Sequence, residues 1–527
     1  MVKFVYHELI FGVGDYATYG NIAFGDTDGS LSGVQAGRNQ ILTDDMHVPP
    51  AVPPNEDFLL GIVGDARDML GHAHGGNDRI NFFQVNDFAV GDAMSMGEDS
   101  QGGDDVIRFF GNSDSVQNSG AYGDAMTMTG HARGGADDIY TFNGGFMGAP
   151  GYGDAYDMSG DSQGGDDRLA GQSDHHSGLV LYGDAYTMRE RAVGGQDTLT
   201  GAEFAGSWLY GDAYDLTDDA RGGNDHLIGG VFGGAQMWGD GFQLSGSAVG
   251  GNDTIAGGSS DFSHTQPAGT DMYGDGQILS DHATAGDDVL ISGQFADDRM
   301  WGDGDVVGPN VVRGHNQFVF GPSNGQDSIM DFNPGHDRIV LQGVGPGSFA
   351  ALAPNIHQVP GGVEVMLFIG DYPAGIDSIF VKGVSQLTAA DFLFDFNGRN
   401  VGGGSRDDVL TAGGGNNSFY GGGGSDTFVI QAQALANSVG GTTHGIKGAD
   451  AVIMDFSGAG GTPAGDNDML WLSGFGAGST LAFDHYGGGD PTVQFYTVHD
   501  AASGADYHLY IHSLDGQQLT ASDYGFV

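Results

Sequence analysis

A large apolar residue stands two positions after an aspartate at Ile80, Ile107, Ile139, Leu169, Leu199, Leu227, Ile255 and Leu290. A two-residue offset is strand spacing, so each of these sites reads as the inward face of a short β-strand. A second ladder runs through Met69, Met96, Met128, Met158, Met188, Leu216, Leu244, Leu279 and Val307, each four residues after the aspartate of a Gly-Asp pair. The residue directly after that aspartate is always small, Ala from Ala66 to Ala213 and then Gly241, Gly276 and Gly304. A third column is aromatic: Tyr122, Tyr152, Tyr182, Tyr210, Trp238, Tyr273 and Trp301. Such columns arise when like coils stack at about 4.8 Å, whereas a helical repeat would show apolar spacing near 3.6 and far less Gly. The pattern predicts an all-β chain built on a parallel β-solenoid, or β-roll.

The Gly-Asp pairs begin at Gly64, Gly91, Gly123, Gly153, Gly183, Gly211, Gly239, Gly274 and Gly302, in steps of 27, 32, 30, 30, 28, 28, 35 and 28 residues. A second motif, Gly-Gly-x-Asp, opens at Gly75, Gly102, Gly134, Gly164, Gly194, Gly222 and Gly250, with a variant at Ala285, always 11 residues after the first. A constant 11 beside a variable remainder marks one rigid limb and one return limb that accepts insertions, such as Ser259–Thr270. The array is expected over residues 55–314. Gly25-Asp26 followed by Ala36-Gly37 keeps the same offset and points to a cap or degenerate coil within residues 1–54.

Charge sets the next constraint. The 527 residues hold 69 Asp or Glu against 17 Lys or Arg, a net charge of −52, with 99 Gly and no Cys. At 39% hydrophobic residues the chain is too apolar for an acidic disordered polymer. Nucleic acid and anionic lipid carry the same sign and are repelled. The only lysines are Lys3, Lys382 and Lys447, so most carboxylates need a cation from outside. Ca²⁺ is the first candidate, because hard divalent ions take the oxygen ligands that Asp supplies. Its expected ligands are Asp78, Asp105, Asp137, Asp167, Asp197, Asp225, Asp253 and Asp288 of the second motif, and Asp65, Asp92, Asp124, Asp154, Asp184, Asp212, Asp240, Asp275 and Asp303 of the first. The competing reading of either column is a turn-forming Asp without metal. Absence of Cys removes disulfides and thiolate chemistry, and no stretch approaches the ~20 apolar residues of a membrane span.

Beyond residue 314 the pattern changes. Three nonapeptides follow in tandem, GGSRDDVLT from Gly403, AGGGNNSFY from Ala412 and GGGGSDTFV from Gly421, which add Asp408 and Asp426 to the candidate ligands. They resemble the repeats-in-toxin (RTX) family, and the resemblance implies a parallel β-roll of 18-residue coils with multiple Ca²⁺ ions in its Gly-Asp turns. Two further segments, from Gln326 and from Ala449, share an apolar, Asp-Phe, loop, Asp, apolar order, and each is followed by a shared phrase, LTAADFLF at Leu387 and LTASDYGFV at Leu519. A terminal module of RTX type is thus expected twice, over 315–400 and 431–527, flanking a nonapeptide roll at 401–430. In that family such a module is read by a type I secretion apparatus, which implies an extracellular or cell-surface protein. That route needs no N-terminal signal, and Met1–Phe11 lacks the length and cleavage pattern of one.

Two classes of function follow. Array and terminal modules leave about 54 residues, too few for a usual catalytic domain. The expectation is a non-enzymatic, calcium-binding component of the cell exterior with a structural, self-assembling or adhesive role in a surface layer, filament or matrix, and with cell-surface polysaccharide as a candidate partner. The alternative is a polysaccharide-modifying enzyme or carbohydrate-binding protein working from a solenoid face. Its best cluster is Arg189 and Arg191 with His175, His176 and Tyr186, and its best platform is the aromatic column. GPSNG at Gly321 matches a nucleophile elbow only in letters, without strand-to-helix context. An ice-binding face would need a Thr or Asn rank, and Arg79, Val106, Asp138, Arg168, Thr198, His226, Thr254, Val289 is not one.

Overall fold

Each repeat lays down three short strands, and the motifs make the corners between them. In the coil that starts at Gly120, the strand Gly120–Tyr122 meets the corner Gly123-Asp124, and Ala125–Met128 follows. A turn and a single bridge at Arg133 lead to the second corner at Gly134 to Asp137, and Asp138–Asn143 completes the coil. The computed structural model describes residues 7–11, 22–33, 35–44, 61–82, 88–109, 120–143, 150–173, 178–260, 269–321, 324–342, 344, 349–368, 377–395, 400–402, 409–411, 417–421, 424–436, 442–443, 446–447, 449–460 and 467–527. The chain forms two units, Met1–Phe318 with Ile329–Asp331, and Val319–Ser328 with Phe332–Val527.

In the first unit the three strands of every coil join three parallel sheets, which makes it a parallel β-solenoid. The middle strands alone form a sheet of ten, from Thr27–Gly33 to Val306–Val307. The register is the one written in the sequence columns. Met69 pairs with Met96, Met96 with Met128, and so on through Met158, Met188, Leu216, Leu244, Leu279 and Val307. The solenoid also begins early: Ile22–Phe24 pairs with Gly61–Val63, Thr27–Gly33 with Ala66–Gly71, and Gln40–Asp44 with Arg79–Phe82. The degenerate coil expected within residues 1–54 is therefore present, but its second corner falls one residue later than the offset read at Ala36-Gly37: Ala36 bridges His74, Arg38 takes the register of Gly76, and the extra residue is absorbed between Thr27 and Ser30. The variable segments, including the one between Thr254–Ala256 and Asp271–Tyr273, all join the third sheet to the first.

Burial explains why the columns are so uniform. The Met/Leu ladder, Ala66 and its counterparts, and the Ala73, Ala132, Ala192 and Ala220 column form one closed core behind the middle sheet. Ile80, Ile107 and Ile139 of the third sheet are fully buried, as are Ile62, Ala89 and Ala121 of the first. The aromatic column forms a buried stack with ring centroids 4.5–5.7 Å apart, so these rings pack within the solenoid. Stacked pairs of this kind contribute about 0.5–1.5 kcal/mol each beyond burial.

The turn after the middle strand holds a left-handed residue in the coils from Ala66–Gly71 to Gly276–Leu279. Gly71, Gly130, Gly160 and Gly246 supply it, but so do Glu98, Glu190, Asp218 and Asp281, with φ between 56° and 61°. Three of these acids offset the strain by stitching coils together. Glu190 accepts the Gly160 N–H at 3.0 Å, Asp218 the Glu190 N–H at 3.3 Å and Asp281 the Gly246 N–H at 3.2 Å.

The second unit is also almost all β. The nonapeptides fold with an 18-residue period, since Asn400 pairs with Ser418 and Val409 with Thr427 in parallel. The two similar segments make the same local structure. Asn333 N–H donates to Asp337 and Ser457 N–H to Asp468, both at 2.7 Å. Thr388 wraps onto Asp391 as Thr520 wraps onto Asp523. Ile339 then pairs with Phe392, and Leu470 with Tyr524.

Candidate carboxylate file

The fixed 11-residue spacing has a direct cause. Each first-motif aspartate accepts the N–H of the second glycine of its own coil, 11 residues on: Gly76 to Asp65 at 2.6 Å, Gly103 to Asp92 at 2.9 Å, Gly135 to Asp124 at 3.0 Å, Gly165 to Asp154 and Gly195 to Asp184 at 2.8 Å. Gly223 to Asp212, Gly251 to Asp240, Gly286 to Asp275 and Gly314 to Asp303 continue the series. The carboxylate thus clasps the two corners of its coil together; in the first coil, where the spacing is 12, Asp26 still accepts the Arg38 N–H at 2.9 Å because a bulge between Thr27 and Ser30 absorbs the extra residue.

The second-motif aspartates link different coils. Asp105 N–H donates to Oδ1 of Asp137 at 2.6 Å, Asp137 to Asp167, Asp167 to Asp197, Asp197 to Asp225 and Asp225 to Asp253 each at 2.7 Å, and Asp253 to Asp288 at 2.8 Å. An Asx-turn would bond within its own turn, and this ladder does not.

Both columns point inward. Asp65, Asp92, Asp124, Asp154, Asp184, Asp212, Asp240 and Asp275, with Asp78, Asp105, Asp137, Asp167, Asp197, Asp225, Asp253 and Asp288, are all at least 97% buried. Each second-column Oδ2 lacks any hydrogen-bond donor, as does one oxygen of every first-column member in this set except Asp124. Neighbouring first-column carboxyls lie within hydrogen-bonding reach of one another, Asp124 with Asp154 and Asp184 with Asp212 among them. Among the described residues no Lys or Arg pairs with any of these sixteen. Other arginines pair with half-buried acids outside the file, Arg189 with Asp157 and Arg299 with Asp271.

Burial pushes Asp65 and Asp240 up to about 7, Asp124 to about 6, and Asp78 to about 9, the last with help from the charge of Asp65. Asp92, Asp105, Asp154 and Asp197 are held well above the ordinary carboxylate range by burial first and by neighbouring aspartates next. An unpaired buried charge costs several kcal/mol. The file therefore needs protons or cations inside it.

Glycine lines the space around these oxygens. A Cβ on Gly91 would lie 1.7 Å from the Gly123 carbonyl oxygen and 1.9 Å from Asp105 Oδ2, and one on Gly102 would lie 1.6 Å from Asp124 Oδ1 and 2.8 Å from Asp92 Oδ2. The same environment recurs at Gly123, Gly153, Gly183, Gly211 and Gly239, and at Gly134, Gly164, Gly194, Gly222 and Gly250. Among the described residues no three His, Asp or Glu side chains converge in a group that would hold a metal ion alone. A bound ion would have to draw on carbonyl oxygens as well as carboxylates, which is the mixture calcium accepts.

The remaining expected ligands are placed differently. Asp303 is ion-paired with Arg313 at 2.8 Å. Asp426 is buried in the second unit, with its N–H on Asp468 Oδ1 at 2.8 Å. Asp408 lies outside the described residues, as do His175 and His176. Arg189 and Arg191 bond Asp157 and Asp161 of the preceding coil, so neither is held ready for a substrate. Sequence reasoning missed the groups at the ends of the file, Arg38, Gln40, Arg313 and Asn316. Their signal was present in the motif alignment, where RGHNQF at Arg313 occupies the register of AGDDVL at Ala285.

Fold and file together define a parallel β-solenoid with an internal double column of carboxylates. Comparison with known proteins finds no matching family model, no similar curated protein and no similar solved structure. Among the described residues no helix is long and apolar enough to cross a membrane.

Proposed function

We propose that the chain is a calcium-loaded structural solenoid of the cell exterior, in which Ca²⁺ neutralises the buried carboxylate file and holds successive coils together. One observation carries this reading: sixteen inward aspartates, nearly all with an oxygen that no donor reaches, in an array without internal basic partners. The residues fit the ion chemically. Oxygen is the only ligand type on offer, and glycine at the corners leaves backbone carbonyls close to the carboxylates. When bound, calcium supplies charge neutralisation and cross-coil bonds, so binding and folding become one event.

The RTX-like nonapeptides and the duplicated terminal module support export by a type I apparatus in an unfolded, calcium-poor state, followed by folding outside. The repeated coil supports a scaffold role, with self-association into layers or filaments and contact with surface polysaccharide. A titration of chelated protein with Ca²⁺, followed by far-UV circular dichroism and by electron microscopy, tests both parts. A full β spectrum that ignores EGTA at neutral pH sinks the calcium reading. Calcium-dependent folding with only monomers at every concentration sinks the assembly part alone.

A further inference from the structure

We propose that Arg38 and Arg313 are chain-supplied cations that stop the ion file at its two ends, so that the sixteen aspartates between them hold eight divalent ions. This rests on the calcium reading of the file and adds its boundaries and its count.

The last coil shows the substitution atom by atom. In seven coils the residue before the clasping glycine is itself Gly, from Gly75 to Gly250, and in the eighth it is Ala285. Own-coil and next-coil carboxylates converge on that position, as Asp92 and Asp124 do at Gly102. In the final coil Arg313 grows from this same position. Its guanidinium donates to Asp303 Oδ2 at 2.8 Å and lies 3.9 Å from Asp331. A fixed positive charge therefore sits where the interior coils have carboxylates and no cation.

The second column ends in the same way. Interior aspartates bring an Oδ2 without a donor to 1.9–2.4 Å from the Cβ position of the first-motif glycine, as Asp288 does at Gly274 (2.2 Å). At Gly302 the corresponding atom is the Asn316 amide nitrogen at 2.4 Å, which donates to Asp303 Oδ1 at 3.3 Å. A donor has replaced the lone oxygen, and the requirement for a cation disappears with it.

The opposite end is built from different residues. Gln40 stands in the register of Asp78, since its N–H donates to Asp78 Oδ1 at 2.6 Å, and its side-chain amide nitrogen donates to Asp26. Its Oε1 lies 3.0 Å from the Cβ position of Gly25 and has no donor, but unlike a carboxylate oxygen it carries no net charge. Arg38 stands in the register of the clasping glycine, and its Nε bonds Asp26 at 2.7 Å. Each end thus pairs one arginine with one neutral amide. Between them lie eight carboxylates in each column, and sixteen single charges are balanced by eight divalent ions.

The test moves the stops. Arg313→Gly with Asn316→Asp rebuilds an interior corner in the last coil, and Arg38→Gly with Gln40→Asp does so in the first. Ala285→Arg with Asp288→Asn shifts the stop one coil inward, at a position that already carries a Cβ. Calcium per chain is measured by mass spectrometry on full-length protein equilibrated with Ca²⁺ and desalted, with circular dichroism reporting the fold. The first two pairs are expected to bind one ion more than the unmodified chain, and the third one fewer. Unchanged counts in those variants that fold overturn the stops while leaving calcium in place. No calcium on the unmodified chain overturns both readings, and the two failures are told apart by that single control.

Discussion

Buried aspartates occur in both units, but their surroundings differ. In the second unit Asp523 accepts the Gly460 N–H at 2.9 Å, the Thr520 N–H at 2.6 Å and the Thr520 hydroxyl at 2.9 Å. Asp391 does the same with Gly335 and Thr388. Asp500 collects the Ser503 hydroxyl and the N–H groups of Gly476 and Ala502, which hold it far below the usual carboxylate range. Array aspartates such as Asp197 receive one donor and stay above that range. Asp391, Asp500 and Asp523 are closed by their own hydrogen bonds; the array leaves a negative charge that its own atoms do not answer.

The sharpest way to break this contrast is chelation. EGTA at neutral pH is expected to unfold the array and to leave the strands around Asp523 standing. Each saturated ion contributes about 2.7 kcal/mol when free calcium is about 100 times its dissociation constant, so the summed loss is large. Residue-resolved hydrogen exchange measures it, and equal loss of protection in both units would erase the distinction.

Acidity comes next, with opposite signs in the two regions. Asp65 and Asp240, raised to about 7, keep protons in the folded state that the unfolded chain releases near 4. Without calcium, the contribution of Asp65 and Asp240 is therefore fully present below about pH 4 and is lost as pH rises through about 7, and that of Asp78 is lost as it rises through about 9. Asp500 is depressed, so its contribution is present above the ordinary carboxylate value and is lost as pH falls through its lower folded value. Circular dichroism of chelated protein from pH 3 to 8 should show the array regaining β structure on acidification; a signal independent of pH would count against the protonated file.

Point substitutions refine the picture. Gly102→Ala sets a methyl 1.6 Å from Asp124 Oδ1 and is expected to cost about 1–3 kcal/mol or more in calcium, read from the melting curve. Asp523→Asn should cost about 1–3 kcal/mol with and without calcium, because it removes satisfied hydrogen bonds. Asp197→Asn should instead raise the melting temperature in EGTA, where it relieves repulsion, and lower it in calcium. The smallest effect is at Tyr156, which is 45% exposed and whose ring stacks on Tyr186 at 5.1 Å; Tyr156→Ala should cost about 0.5–1.5 kcal/mol and leave calcium binding unchanged.

Much of this architecture is legible in the sequence because a stacked coil repeats its environment. Met69 to Val307 reads as a column in the text for the same reason that it is a file of neighbours in space. The corners were readable through Gly and Asp. What the text did not reveal is direction: Asp65 and Asp78 face the interior, and period alone does not distinguish an inward turn carboxylate from an outward one. The clasp between Asp65 and Gly76 stood in plain view as the number 11, but only coordinates turn a spacing into a bond. The outer rank Tyr156, Tyr186, Tyr214 and Phe242 escaped notice because it starts halfway along the array. The ladder of His72, Asp99, His131, Asp161 and Arg191 did so because its members differ chemically, with imidazole and guanidinium groups alternating with carboxylates.

The clasp has one last implication. Because Asp and Gly of a single coil fasten to each other, the rung is a finished part before any neighbour is added, and the joint to the next rung is nearly the same all along. A gene that gains or loses one whole rung changes the reach of the rod by about 4.8 Å and little else. Length here is a dial that duplication turns in fixed clicks.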